Sequence, residues 1–276
     1  MGASRETVIE FFFGGDSSAA RCLFEETNND AALHVPGGAL RNPLLSVSWW
    51  PHVATLLDNR DLGPFEFDVI QGGNAVAPQT LLDAKSQPSA EAIDRALRQG
   101  ATLRLYGVSR FEPNCAMLLR LLRQILKRDA FVNLYLTPAR SPGLRMHYDL
   151  EDSLVVQVKG EKFWRLHQAD GGPRFPRELS AGPPAVHDQP SQTIHMRAGD
   201  VLFVPSGLAH TVETRESGSE HVTFGVHVSR KVKLLGDLLE QFAAAEEDLR
   251  RPIRTDEDVS RAQLAEWAGR FERWLG

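Results

Sequence analysis

The chain has 276 residues, with 31 basic and 36 acidic side chains and a formal net charge of −5. It is long enough for one sizeable domain or a domain with an appendage, and the acidic balance argues against a general polyanion binder, whose affinity rests on clustered Lys and Arg. Two cysteines, Cys22 and Cys115, and no basic n-region followed by a long apolar stretch near the N-terminus predict a reduced, cytoplasmic protein. The run Phe11-Phe12-Phe13 is too short to span a membrane, which takes about 20 apolar residues. Glu6 stands where a myristoylation signal after Gly2 needs Ser or Thr, so no membrane anchor is expected.

In chain order, residues 1–88 are irregular and read as short elements joined by loops. They are rich in Gly, Pro and Asn around 28–43 and 72–88. Ser89, followed by Ile93, Ala96 and Leu97 and closed by Gly100, predicts a capped short helix. Residues 102–108 alternate like a strand. Pro113 fits the first turn of a second helix, with Leu118, Leu121, Leu122 and Ile125 at helical spacing. Short strands then follow at 131–137, 153–159, 162–167, 200–204 and 220–228, and Lys159-Gly160 reads as a hairpin turn between two of them.

Many short strands with turns between them suggest a barrel or jelly roll rather than a parallel α/β sheet. After Arg230 helical spacing returns, with Leu234, Leu235, Leu238, Leu239 and Phe242 on one side. Past Pro252 a last helix is expected to begin near Thr255, with Asp258 in its first turn and Leu264, Trp267, Phe271 and Trp274 as its apolar stripe. The predicted organisation is a mixed N-terminal region (1–98), a β barrel (99–229) and a helical tail (230–276).

His147-Tyr148-Asp149 puts an imidazole and a carboxylate two residues apart, which on a strand means one face and a shared target. Alone, such a triplet is equally an ordinary hydrogen-bonded pair. The second element runs from Gly199 through Pro205 and Gly207 to His210. Gly199 and Pro205-Ser206-Gly207 turn the two ends of a short apolar strand, and the spacing G-x5-P-x-G-x2-H is similar to the second motif of cupins. Two histidines and a carboxylate on one face of a metal form the set expected of non-haem iron(II) oxygenases, although three ligands and a water also describe catalytic zinc.

Asn133, Tyr135, Thr137-Pro138, Ser141, Gly143, His147-Tyr148-Asp149, Gln157, Gly160, Lys162 and Trp164-Arg165-Leu166 together decide for iron. The stretch closely resembles the catalytic core of the JmjC/cupin-like ribosomal oxygenases. The match covers roughly residues 100–230.

That resemblance implies a double-stranded β-helix with flanking helices. It implies Fe(II) held by His147, Asp149 and His210, with 2-oxoglutarate and O2 as cosubstrates. Lys162 would pair with the far carboxylate of 2-oxoglutarate, as a charge-assisted bond, and Asn133 and Tyr135 would help hold it. Taken without the resemblance, Lys162 reads as a solvated strand end and Asn133 and Tyr135 as a buried polar pair. Should Lys162 not be the cation, Arg140 and Arg145 are the alternatives.

His195, His221 and His227 are less informative, and His221 reads as a barrel-wall residue. Gly225 falls near a position where relatives carry Ser or Thr. The implied reaction is hydroxylation of a His- or Arg-like side chain in a protein or peptide, either a ribosomal protein or a biosynthetic precursor peptide. A free amino acid or small metabolite is the alternative substrate, and a non-catalytic cupin binding module is the alternative class. The resemblance also implies a homodimer through the tail. The longer relatives carry a winged-helix domain that the residues after Arg230 are too few to contain, and no direct nucleic-acid contact is expected.

Overall fold

The computed structural model describes residues 4–24, 31–59, 61–167, 189–228, 231–251 and 260–276. Helix α1 (Arg5–Phe13) starts where Ser4 is extended and its hydroxyl accepts the Thr7 amide. Then come α2 (Arg21–Phe24), β1 (Leu33–Val35), α3 (Trp49–Asp58), β2 (Phe67–Gln71), β3 (Asn74–Ala75), α4 (Ala90–Arg98), β4 (Thr102–Leu105) and α5 (Pro113–Leu126). The expected caps are present. Ser89 accepts the Ala92 amide at the start of α4, and Pro113 opens α5 behind Glu112, whose carboxylate accepts the Cys115 amide. The strand expected to reach 108 stops at Leu105, because Gly107 turns the chain with φ 57° into a short 3-10 turn.

Six more strands build the barrel: β5 (Ala130–Thr137), β6 (Asp152–His167), β7 (Gln192–Arg197), β8 (Val201–Val204), β9 (Ala209–Glu213) and β10 (Ser219–Val226). All pairings are antiparallel, in the order β1-β8-β6-β10-β5-β4-β2-β3, with β7 and β9 both pairing β6. The architecture is a jelly roll with flanking helices. The N-terminal stretch is more than a string of loops, since β2, β3 and β4 extend the sheet at one edge and β1 caps the other. Met1–Val228 form one compact unit.

The expected hairpin at Lys159-Gly160 does not exist. Residues Asp152–His167 are one 16-residue strand that bends at Gly160, where φ is 66°. Before the bend β6 pairs with β8 and β10, and after it with β7 and β9. The pairing with β10 also slips: Glu220 faces Lys159 while His221 faces Gln157, leaving Val158 as an extra residue.

Such a bulge reverses which side chains face inward. Ser153 and Val155 line the barrel cavity before it, and Lys162 and Trp164 line the same cavity after it. Leu154, Val156 and Val158 point the other way, into the core shared with α1 and α5, where the Phe12 ring meets Phe224 edge-on at 5.3 Å. A Cβ at Gly160 would stand 1.9 Å from the Gly218 carbonyl oxygen. Gly160→Ala therefore meets both a backbone clash and an unfavourable φ, and is expected to cost on the order of 2 kcal/mol or more. Calorimetry should show the melting temperature lowered by roughly 5 °C or more.

Ser229–Gly276 form a second compact unit. It contains α6 (Lys231–Ala245) and α7 (Arg261–Leu275). The Phe242 ring packs on Phe271 and Trp274 at 5.4 and 5.9 Å. The expected start of the last helix at Thr255 and Asp258 lies outside the described residues; as described, α7 opens at Ser260 with a capping box to Gln263. No helix among the described residues is long and apolar enough to cross a membrane.

Candidate metal centre

His147 and Asp149 do not sit on a regular strand, contrary to expectation. His147 makes an isolated bridge to His210: its amide donates to the His210 carbonyl at 3.1 Å, and the His210 amide returns the bond at 2.8 Å. The Gly207 amide donates to the Asp149 carbonyl at 2.8 Å, so the turn Pro205-Ser206-Gly207 is tied to the His147 segment at two points. The two motifs, far apart in sequence, are thus stitched together by backbone bonds.

The ligand atoms of His147, Asp149 and His210 lie within 4.8 Å of one another. Each imidazole has its Nδ1 on a backbone carbonyl, His147 on Arg145 at 2.7 Å and His210 on Leu208 at 3.0 Å. A carbonyl only accepts, so Nδ1 carries the proton and the Nε2 lone pair is left for a metal. Burial, with the neighbouring His147 adding to it, lowers the His210 pKa to about 4, which keeps this ring a neutral ligand. The Ser153 hydroxyl donates to Asp149 Oδ2 at 3.2 Å and orients the carboxylate. Two imidazoles and one partly exposed carboxylate fit a divalent metal.

Lys162 is fully buried in the wall of the same cavity, and Tyr135, Trp164, His221 and Thr223 surround it. Its ammonium donates to the Thr137 hydroxyl at 3.0 Å, and no carboxylate among the described residues pairs with it. Burial lowers its pKa to about 7. A buried cation without a counter-ion is costly, and an anion bound in this cavity would offset that cost. The alternative cations are elsewhere: Arg140 pairs with Glu216 on the surface, and Arg145 donates to the Gly72 carbonyl.

Tyr135 lines the cavity and stacks on His221 at 4.7 Å, nearly parallel. Burial and the Asp149 charge push its phenol up to about 12, so it stays protonated. Asn133 does not reach this cavity. Its side-chain oxygen accepts the Gly107 amide at 3.1 Å, and it lines an adjoining cleft of about 420 Å³ that shares Tyr135, Asp149, Ser153 and Thr223 with the metal cavity.

His195 is on the outer face, bonded to Glu161 at 2.6 Å and stacked on Phe163, and His227 sits 3.8 Å from Glu151. A Cβ at Gly225 would meet the Phe131 ring at 2.3 Å, so Phe131 fills the space a larger residue would take. Sequence reasoning passed over Ser153 and Thr223 as cavity residues, and Thr137 as the partner of Lys162. The signal available for Thr223 was its period-2 spacing from His221 on one strand face.

A jelly roll with two histidines and one carboxylate converging in its cavity has the fold and the donor set of a metal-binding barrel. Residues 104–234 match the JmjC domain family. It is 30% identical over 145 residues to the bifunctional lysine-specific demethylase and histidyl-hydroxylase NO66 of Dictyostelium discoideum, covering 51% of this chain and 28% of that one. It is 37% identical over 101 residues to ribosomal oxygenase 2 of Bos taurus, covering 35% and 21%.

The chain thus spans about a quarter of the length of these relatives. Among solved structures, Escherichia coli YcfD superposes with a TM-score of 0.60 at 15% identity, covering 91% of this chain and 66% of that one. YcfD, described as a ribosomal oxygenase, has also been solved with cobalt and 2-oxoglutarate, with a TM-score of 0.58.

Proposed function

We propose that this chain is an iron(II)- and 2-oxoglutarate-dependent oxygenase that hydroxylates a side chain of a protein or peptide. The observation that carries the reading is one cavity holding both the His147, Asp149, His210 cluster and the buried, uncompensated ammonium of Lys162. The metal set leaves room for a keto acid and O2, and Lys162 supplies the one fixed cation that a dicarboxylate needs at its far end. Bound iron(II) with 2-oxoglutarate and O2 supplies decarboxylation to succinate coupled to insertion of one oxygen into an unactivated C–H bond.

The chain's own residues do the rest. His147, Asp149 and His210 hold the metal, and Ser153 aims the carboxylate. Lys162 and Tyr135 hold the cosubstrate, while Asn133, fixed to Gly107, braces the adjoining cleft through which a substrate side chain reaches the centre. In this reading the functional units are an N-terminal region at 1–98, a catalytic barrel at 99–229 and a tail at 230–276. By analogy with the relatives named ribosomal oxygenases, a ribosomal protein in the cytoplasm is the first substrate to try. Mass spectrometry of lysate peptides incubated with and without the protein tests this: a peptide gaining one oxygen supports it, whereas oxygen gained only by a free amino acid or metabolite rejects the peptide substrate.

The tail is read as the subunit contact of a homodimer. Leu234, Leu235, Leu239 and Leu264 are 60, 53, 49 and 53% exposed, and apolar stripes of that kind are usually covered by a partner. Light scattering at micromolar concentration should give twice the chain mass, and a monomer there rejects the dimer.

A further inference from the structure

We propose that His221 is a second anchor for the far carboxylate of the cosubstrate, a positioning residue that works beside Lys162. This rests on the cosubstrate reading above and adds a residue to it. His221 is 3% exposed and lines the cavity that contains Lys162 and the metal cluster. Its Nδ1 is buried and has no hydrogen-bond partner among the described residues, an arrangement that buried polar nitrogens rarely keep unless a ligand completes it. The Nε1 of Trp164, also in the cavity wall, is likewise buried and unpartnered. Lys162 uses one of its three ammonium hydrogens, on Thr137. The three side chains that carry these nitrogens line one cavity, and their unused donors suit a carboxylate with its several lone pairs.

The ring is held for this task. Tyr135 stacks on it at 4.7 Å with 5° between the planes, and Trp164 meets it edge-on at 6.0 Å. Burial, and then the neighbouring Lys162 charge, hold the imidazole well below its usual pKa, so it is neutral. A neutral imidazole carries one N–H and can donate from Nδ1 to an anion without adding a second buried cation next to the first.

The test uses full-length protein loaded with zinc(II), so that binding rather than turnover is read. Two keto acids are compared by calorimetry: 2-oxoglutarate, and 2-oxopentanoate, which has a methyl group in place of the far carboxylate. Wild-type protein is expected to prefer 2-oxoglutarate by at least about a hundredfold, the product of two anchors each worth roughly a factor of ten. His221→Phe keeps an aromatic face for Tyr135 but removes both nitrogens. It should lose about tenfold for 2-oxoglutarate and stay unchanged for 2-oxopentanoate.

Equal losses for both ligands would mean that the ring only packs, and would overturn the proposal. No preference in the wild-type protein would overturn the cosubstrate reading itself. If His221→Phe does not fold, nitrogen NMR of the histidine-labelled wild type decides. The His221 Nδ1–H signal should shift on adding 2-oxoglutarate and not on adding 2-oxopentanoate, and identical responses would reject the anchor.

Discussion

Asp149→Ala is expected to lower iron(II) affinity by at least about a hundredfold, since loss of a mere supporting partner already costs ten- to a hundredfold and this residue is the one anionic ligand. Two imidazole ligands remain, each with its Nδ1 on a backbone carbonyl, and a donor set without a carboxylate cannot offset the dication's charge. The fold should be indifferent to the change. Among the described residues the Asp149 side chain hydrogen-bonds Ser153 and lies 3.9 Å from His210, and it is 40% exposed, so the metal-free melting temperature should move by no more than about 2 °C. Metal analysis and calorimetry on the same preparation check both halves. A variant that binds iron as wild type and forms succinate at the same rate shows that the metal is held elsewhere.

Lys162→Ala should raise the 2-oxoglutarate dissociation constant at least tenfold and leave iron content unchanged. Removing one partner of a buried charge pair costs roughly 2 to 5 kcal/mol, and about 1.4 kcal/mol is a factor of ten. The ammonium is fully buried and bonded to the Thr137 hydroxyl, not to any metal ligand, which separates the two effects. The pH dependence has a definite sign. Burial lowers the Lys162 pKa from 10.5 to about 7 in the empty pocket, and a bound carboxylate raises it again.

Binding therefore takes up a proton above about pH 7, and affinity for 2-oxoglutarate should weaken as pH rises from 7 toward 9. For the empty protein the linkage runs the other way: the unfolded chain binds more protons than the folded one between about 7 and 10.5, so folding stability rises with pH across that window. Lys162→Arg should restore part of the affinity and abolish the pH dependence of binding, because guanidinium stays charged throughout. Unchanged 2-oxoglutarate binding in the alanine variant would return Lys162 to a structural role.

The metal cluster was legible in the sequence because its positions are marked by turn residues. Gly199 and Pro205-Ser206-Gly207 bracket β8, and the same turn that presents His210 also bonds to the Asp149 backbone. Caps were legible for the same reason, at Ser89 and Pro113. The path of Lys162 into the cavity was not. A glycine with positive φ after a lysine looks the same whether the chain reverses or only bends, and here the pairing partners on both sides decide for a bent strand with a bulge.

The same limit hid the setting of His147, which depends on a bridge to His210 rather than on a strand of its own. Trp164, His221 and Thr223 become neighbours, and Thr137 meets Lys162, only when β5, β6 and β10 lie side by side. The N-terminal strands were obscured because β2 and β3 are short and are stabilised by the sheet they join, with little alternation of their own.

The central claim is that this centre runs oxygen chemistry on 2-oxoglutarate rather than zinc-assisted hydrolysis. The most direct measurement is succinate formed from 2-oxoglutarate by the metal-depleted protein reconstituted with iron(II) or with zinc(II), in air and under argon, with the lysate peptide fraction present. The account predicts succinate only with iron(II) in air, and none from Asp149→Ala. Succinate formed equally with zinc(II) or under argon, or none with iron(II) in air while zinc(II) supports peptide cleavage, would contradict it.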